Sequence, residues 1–299
     1  MIGNNPVVSF SEVSKKIDRF QLEHISFSVE RGTITSLVGA NGAGKTSIFQ
    51  LLLGILHPDR GSISLFGKEN NQQKKEACFA FVPEHPIGYE MLTSKEIAAF
   101  YANWYASWDQ QQFEKRLRDY EIEDNKAFHH LSQGNQKKLA FILALASNPS
   151  LLILDEPTNG LDVFSKKQML EDIATFMQTE DNTVFLATHQ MDEVKKLVDF
   201  LIVLHKGKLI GKLEKDQLLY EWRKVYVPAV PEKLKACKDT IVLDKHHQFF
   251  ITKHFSRAKT MLMEKKVPLI KAESLELDDI LSLLLSKNNR LLESTHAPK

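Results

Sequence analysis

Short apolar–polar alternation opens the chain. Over residues 7–30 the period is two, with Gly32 at the following turn, which predicts paired β-strands. Residues 33–38 form a short apolar strand that runs into glycines, and 45–56 has helical spacing. Strand, glycine loop and helix in that order make half of a βαβ unit. A turn at 57–61, a strand at 62–66 and a turn at Gly67 follow, and then 94–147 is helical in pattern throughout. From Leu151 an alternation returns: strand 151–154, helix 163–178, strand 183–187, helix 191–197, strand 200–204 and a turn at Lys206-Gly207-Lys208. Strands separated by helices predict a mostly parallel sheet covered on both faces.

The texture changes after about residue 215. Pro228 and Pro231, a hairpin around Lys245-His246-His247, a helix near 255–265, a strand near 267–271 and an apolar helix at 275–285 predict a small α+β appendage. The expected division is therefore a domain over 1–215 and an accessory domain over 216–299, with a polar, frayed end from about Lys287.

Composition narrows the class. The chain has 299 residues, 43% hydrophobic and 26% charged, in the range of a folded globular protein. Its net charge of +1 argues against nucleic-acid binding by phosphate neutralisation. Cys78 and Cys237 are far apart, which argues against a disulfide framework or a zinc site. Apolar runs such as 139–146 and 200–204 fall short of the roughly 18 residues that span a bilayer. The N-terminus also lacks the layout of a secretion signal. A soluble protein is expected, reaching a membrane only through a partner.

The candidate chemistry starts at Gly39-Ala40-Asn41-Gly42-Ala43-Gly44-Lys45-Thr46, followed by Ser47, which fits GxxxxGK[ST]. Glycines let consecutive backbone N–H groups converge on an anion, and the helix that follows adds its positive end. Lys45 is placed to reach terminal phosphates and Thr46 to ligate magnesium. Four apolar residues at 151–154 then deliver Asp155 and Glu156 at a strand end, with Pro157 fixing the exit. Asp155 suits magnesium, and Glu156 suits a base that accepts a proton from, or orients, a water. In Leu131-Ser132-Gln133-Gly134-Asn135, Ser132 reads as a helix cap; a capped helix with a glycine in its first turn is also an anion site.

Those three elements in this order resemble the nucleotide-binding subunit of an ATP-binding cassette (ABC) transporter, over about residues 7–212. The family signature LSGGQ is matched by residues 131–135, departing at Gln133 and Asn135. The D-loop is similar to Asn159-Gly160-Leu161-Asp162, the switch histidine to His189, and the Q-loop position to Glu84, where the family usually has Gln. Strict alignment places Ile17 where an aromatic stacks on adenine, and Phe20 is the nearest ring. Taken alone His189 would be an ordinary polar residue at a strand end; its place after the apolar strand 183–187 favours the switch role.

The resemblance implies a P-loop α/β cassette with a mostly parallel core sheet, an antiparallel β subdomain, a helical subdomain at about 94–147 and a small C-terminal α+β extension. It further implies an ATPase using ATP and Mg2+, with Gly39, Asn41, Gly42, Ala43, Gly44, Lys45, Thr46, Ser47, Glu84, Ser132, Gly134 and Asp162 at nucleotide. Thr46, Glu84 and Asp155 would lie at the metal, and Glu156, His189 and Lys45 in catalysis. Two cassettes would face head to tail, as homodimer or heterodimer, with Ser132 serving the partner's ATP. An integral membrane permease of the small export or resistance type would complete the assembly at the cytoplasmic face of the cell membrane. Phe100, Trp104 and Trp108 share a helix face, with Tyr101 and Tyr105 beside them, and a division is expected, some rings inward in the core of the helical layer and some in a docking groove. In the tail, Leu275, Leu277, Ile280, Leu281, Leu284 and Leu285 form an apolar helix face that either folds onto its own domain or pairs with the other cassette. Two rivals are a soluble ABC ATPase of translation or DNA repair and a regulatory nucleotide-binding module without turnover. The single cassette, with no long insertion between Lys45 and Asp155, speaks against the first, and Glu156 with His189 speaks against the second.

Overall fold

A computed structural model describes residues 6–69, 79–235, 237–244 and 249–294. Cys78 and the expected hairpin at Lys245-His246-His247 lie outside the described residues. The chain divides into two compact units, Met1–Lys212 and Leu213–Lys299.

In the first unit, β1 (Val8–Ile17) and β2 (Phe20–Val29) pair antiparallel, with Val8 opposite Val29. Phe10 and Phe27 point to the same face and stack with ring centroids 4.6 Å apart. β4 (Arg60–Leu65) extends this layer along β1, and β5 (Lys68–Glu69) pairs with β4. The parallel part comprises β3 (Ile34–Val38), β6 (Phe79–Val82), β7 (Leu151–Asp155), β8 (Thr183–Ala187) and β9 (Phe200–His205). With β10 (Lys208–Glu214), the ten strands run in the order β5-β4-β1-β2-β10-β9-β3-β8-β7-β6. Every residue of β3, β7 and β8 is buried, which is why these strands read as unbroken apolar runs and not as alternation.

Helix α1 (Lys45–Leu52) buries Ile48, Phe49, Leu51 and Leu52, and Phe49 meets Phe185 edge-on at 5.1 Å. It stops at Leu52 and not at residue 56, because Gly54 takes φ 72° and donates back to the Leu51 carbonyl. The helical stretch resolves into α2 (Ser94–Trp104), α3 (Gln110–Asp119), a single 3-10 turn at Phe128–His130, and α4 (Gln133–Ala146). Each of the three α-helices starts on a capping side chain, from Thr93, Asp109 and Ser132 in turn. α5 (Val163–Phe176) and α6 (Met191–Leu197) lie between the later strands in sequence.

The second unit carries α7 (Lys215–Glu221), β11 (Arg223–Tyr226), α8 (Glu232–Lys235), β12 (Thr240–Asp244), β13 (Phe249–Thr252), α9 (Phe255–Glu264), β14 (Lys271–Ser274) and α10 (Leu277–Ser294). Its antiparallel sheet runs β12-β13-β11-β14 over a separate core of Val225, Val227, Leu234, Phe250, Ala258 and Leu262. The strand expected at 267–271 begins only at Lys271. Val267 still closes α9 by donating to the Leu262 carbonyl, and Pro268 has no N–H to give a ladder. Within this single chain Leu277, Ile280 and Leu281 of α10 are buried.

Candidate nucleotide site

Sheet register brings the chemistry together. Ala187 of β8 pairs with Leu37 of β3 on one side and with Asp155 of β7 on the other. The three strands therefore end level, and the segments that leave them meet at one sheet edge. Gly39 crosses so close to β9 that a Cβ there would stand 2.5 Å from the Leu204 carbonyl oxygen. Gly44 takes φ 110°, and a Cβ would lie 2.7 Å from Leu22 Cδ2 and 2.9 Å from Phe20 Cζ. Those contacts account for Gly39 and Gly44, and φ 77° accounts for Gly42; Ala43 is buried within the loop.

Lys45 opens α1, is buried, and donates from Nζ to the Gly39 carbonyl at 2.9 Å. Its ammonium is also 3.7 Å from Glu156 Oε1. Thr46 Oγ1 donates to Asp155 Oδ2 at 3.1 Å. A cavity of about 730 Å³ takes in Asn41, Gly42, Gly44, Lys45, Thr46 and Ser47 of the loop, with Glu84, Asp155, Glu156 and His189 across from them. Ile17 and Phe20 both border it.

Burial pushes the Asp155 carboxyl up to about 6; the Thr46 hydroxyl opposes that shift, and the charges of Glu84 and Glu156 add to it. Asp155 Oδ1 is a buried side-chain oxygen with no hydrogen-bond partner among the described residues. Such an atom carries a desolvation cost until a ligand meets it. A buried carboxylate with one open oxygen beside a hydroxyl fits a hard divalent cation that also takes phosphate oxygens and water. No group of three or more His, Cys, Asp or Glu that could hold a metal occurs among the described residues.

Glu156 sits in the left-handed region at φ 46°, a conformation that costs a non-glycine residue roughly 1–2 kcal/mol. Its N–H donates to the Ala187 carbonyl at 2.9 Å. His189 closes on the carboxylate twice: Nδ1 is 2.8 Å from Oε2, and the backbone N–H donates to the same oxygen at 3.3 Å. Glu84 Oε1 accepts from Asn159 Nδ2 at 3.2 Å.

The remaining expected residues lie apart from this cavity. Ser132 is exposed and accepts from the Asn135 N–H at 3.2 Å, as a helix cap. Gly134 lines a second cavity of about 410 Å³ with Glu84, His85, Gln133, Asn159 and Gly160. Asp162 caps α5, accepting from the N–H groups of Phe164 and Ser165 at 3.0 and 2.9 Å.

The sequence reading missed two buried polar groups beside the site. Glu193 accepts from the Thr158 and Thr188 hydroxyls and pairs with Lys166 at 3.1 Å, which ties the segment after Glu156 to the segment before His189. Lys137 is buried and donates to the Glu156 and Asn159 carbonyls. Its one legible signal was a lysine on the α4 face that also carries Phe141 and Leu145.

A glycine loop between a buried parallel strand and a helix, with its threonine on a strand-end aspartate and its lysine beside the following glutamate, defines a P-loop nucleotide-binding protein. A family profile described as "ABC transporter" matches residues 22–159. The bacitracin transport ATP-binding protein BcrA of Bacillus licheniformis is 31% identical over 229 residues, 75% of this chain and 74% of that protein. The SkfA peptide export ATP-binding protein SkfE of Bacillus subtilis (strain 168) is 34% identical over 218 residues, 71% of this chain and 91% of that protein. A solved ATP-binding subunit of an ABC transporter superposes with a TM-score of 0.65 at 28% identity, covering 72% of this chain and 92% of its own. The chain belongs to the ABC transporter family, as an ATP-binding subunit. ATPase activity is general in that family. No helix among the described residues is long and apolar enough to cross a membrane.

Proposed function

We propose that this chain hydrolyses ATP with Mg2+ as one half of a head-to-tail cassette pair, driving an integral membrane permease of the export type from the cytoplasmic face of the membrane. The observation that carries this reading is the meeting of Lys45, Thr46, Asp155, Glu156 and His189, from three separate segments, around one cavity. Lys45 answers the charge of the terminal phosphates, exchanging its Gly39 carbonyl for them. Thr46, Asp155 and Glu84 would hold the magnesium, which when bound supplies positive charge to the phosphate oxygens. Glu156 takes or orients the proton of the attacking water, and His189 keeps that carboxylate turned toward the cavity.

Ser132 and Gly134 lie outside their own chain's cavity, at the start of α4, which supports their use by a second cassette. Asp162 stands at the adjoining loop and contributes to the same face. The names of BcrA and SkfE, one concerned with bacitracin transport and the other with peptide export, support an export-type partner. Phe100 and Trp104, 50% and 70% exposed, offer it an aromatic surface. A net charge of +1 supports a role without nucleic acid.

Phosphate release and ATP titration on wild type and Lys45→Ala test the core of the proposal. Loss of both tight binding and turnover is expected in the variant, and unchanged ATP affinity overturns the site. Recovery of the chain from membranes in mild detergent, followed by identification of the co-purifying membrane protein, tests the partner.

A further inference from the structure

The two hydrogen bonds from Lys137 bear on the reaction itself. Its Nζ donates to the Glu156 carbonyl at 2.9 Å and to the Asn159 carbonyl at 2.8 Å, and the residue is 5% exposed. The first of those carbonyls belongs to the residue held at φ 46°. The second belongs to the residue whose side chain holds Glu84. Without the ammonium, the Glu156 carbonyl would keep only the 3.3 Å contact from the Asn159 N–H. Lys137 also lies in the first turns of α4, close after Ser132 and Gly134.

We infer that Lys137 is a positioning residue: it fixes the backbone of Glu156, and through it the carboxylate, while anchoring that backbone to the helix that begins at Ser132. This rests on the proposed role of Glu156 at the attacking water. The chemistry fits a lysine. Three rotatable donors on one nitrogen can serve two carbonyls, and a compact charge can answer the surrounding carboxylates. Burial works to lower the ammonium pKa, while the charges of Glu84, Glu156, Asp155 and Glu193 sustain the protonated form. A left-handed residue whose carbonyl keeps only that long contact would relax toward other backbone conformations, and the carboxylate would swing with it. An arrangement of this kind acts on the chemical step and leaves the phosphate contacts of Lys45 untouched.

The test compares kcat, KM and ATP affinity for wild type, Lys137→Met, Lys137→Gln, Glu156→Gln and the Lys137→Met/Glu156→Gln double variant, with melting temperatures alongside. Lys137→Met removes the donors at similar volume. It should lower kcat at least 30-fold while ATP affinity stays within about threefold. Lys137→Gln keeps two N–H donors on a neutral side chain one atom shorter, and should recover part of the loss, with kcat at least fivefold above Lys137→Met. The double variant should turn over no more slowly than Glu156→Gln alone, because both changes disable one group. Wild-type kcat in Lys137→Met overturns the inference. So do equal losses in affinity and kcat, no rescue by glutamine, or multiplying effects in the double variant. If Lys137→Met does not yield folded protein, Lys137→Ala, which leaves room for water beside the second cavity, is judged by the same criteria. Wild-type turnover in Glu156→Gln would instead sink the role of Glu156 itself, so the two failures are separable.

Discussion

His189 Nδ1 lies 2.8 Å from Glu156 Oε2, linking a half-exposed ring to a carboxylate whose side chain is only 7% exposed. With the carboxylate accepting, the ring carries its proton on Nδ1 and leaves Nε2 for the cavity. His189→Ala should therefore slow turnover about 100-fold and leave ATP affinity within about twofold. Steady-state phosphate release and an ATP titration decide it, and wild-type turnover would make His189 a structural residue only.

Asp155 makes a pH-dependent prediction for the magnesium-free protein. Its folded-state pKa of about 6 stands above the ordinary 3.8, so the folded state binds the proton more tightly than the unfolded chain does. That stabilisation is present below about pH 4 and is lost as the pH rises through about 6. Asp155→Asn has no charge to desolvate. At pH 7.5 in EDTA it should be more stable than wild type, by about 2 kcal/mol, with the gap closing toward pH 4. With ATP present, the same variant should lose the rise in melting temperature that magnesium gives wild type. Denaturant unfolding across pH measures the first effect and thermal shift the second.

Glu156→Gln keeps size and hydrogen bonding but removes the charge that polarises water. It should bind ATP, turn over at least 100-fold more slowly, and accumulate as an ATP-dependent dimer. Adding Ser132→Arg should abolish the dimer while each monomer still binds ATP. Size-exclusion chromatography with light scattering reads both. A Glu156→Gln protein that remains monomeric with ATP bound would count against self-pairing and favour a different second cassette.

The two tryptophans of the helical segment should part company. Trp108 packs against Phe113 at 5.5 Å and Tyr101 at 6.2 Å, and its Nε1 donates to Gln110 at 3.0 Å. Trp108→Ala should cost about 2 kcal/mol, visible as several degrees of melting temperature. Trp104, whose one ring contact among the described residues is Phe100 at 6.0 Å, should tolerate alanine within about a degree, and the change should reduce recovery with the proposed permease. A large loss of stability in Trp104→Ala would place that ring in the core.

Gly44→Ala should destabilise the fold by about 1–3 kcal/mol and weaken ATP binding at least tenfold. The added Cβ meets Leu22 at 2.7 Å in a backbone that alanine rarely adopts. Near-normal ATP affinity would show that the loop can be rebuilt without this glycine.

Much of the fold was legible because its signals are local. The strands at 34–38, 151–155 and 183–187 read directly from apolar runs, since both of their faces are covered. β6 and β11 escaped notice: Phe79–Val82 and Arg223–Tyr226 are four-residue strands, too short for a period to show. The end of α1 at Leu52 and the strand start at Lys271 depended on where the chain turned back, which periodicity does not report.

The phosphate loop was legible in the sequence because Gly39 to Thr46 are contiguous, although the neighbours that exclude a Cβ at Gly39 and Gly44, Leu204, Leu22 and Phe20, lie far away along the chain. The sequence by itself also determined that Asp155 and Glu156 stand at a buried strand end, since four apolar residues precede them. How these groups meet depends on strand order and register. Ala187 pairs with both Leu37 and Asp155, and that register sets Thr46 on Asp155, Lys45 near Glu156, and His189 on Glu156. The same holds for Lys137 beneath Glu156 and Glu193 between Thr158 and Thr188. A buried polar side chain becomes a tie once burial removes water and leaves a distant carbonyl, hydroxyl or carboxylate as its available partner. Which distant group that is depends on strand order and register, and no window of sequence contains both.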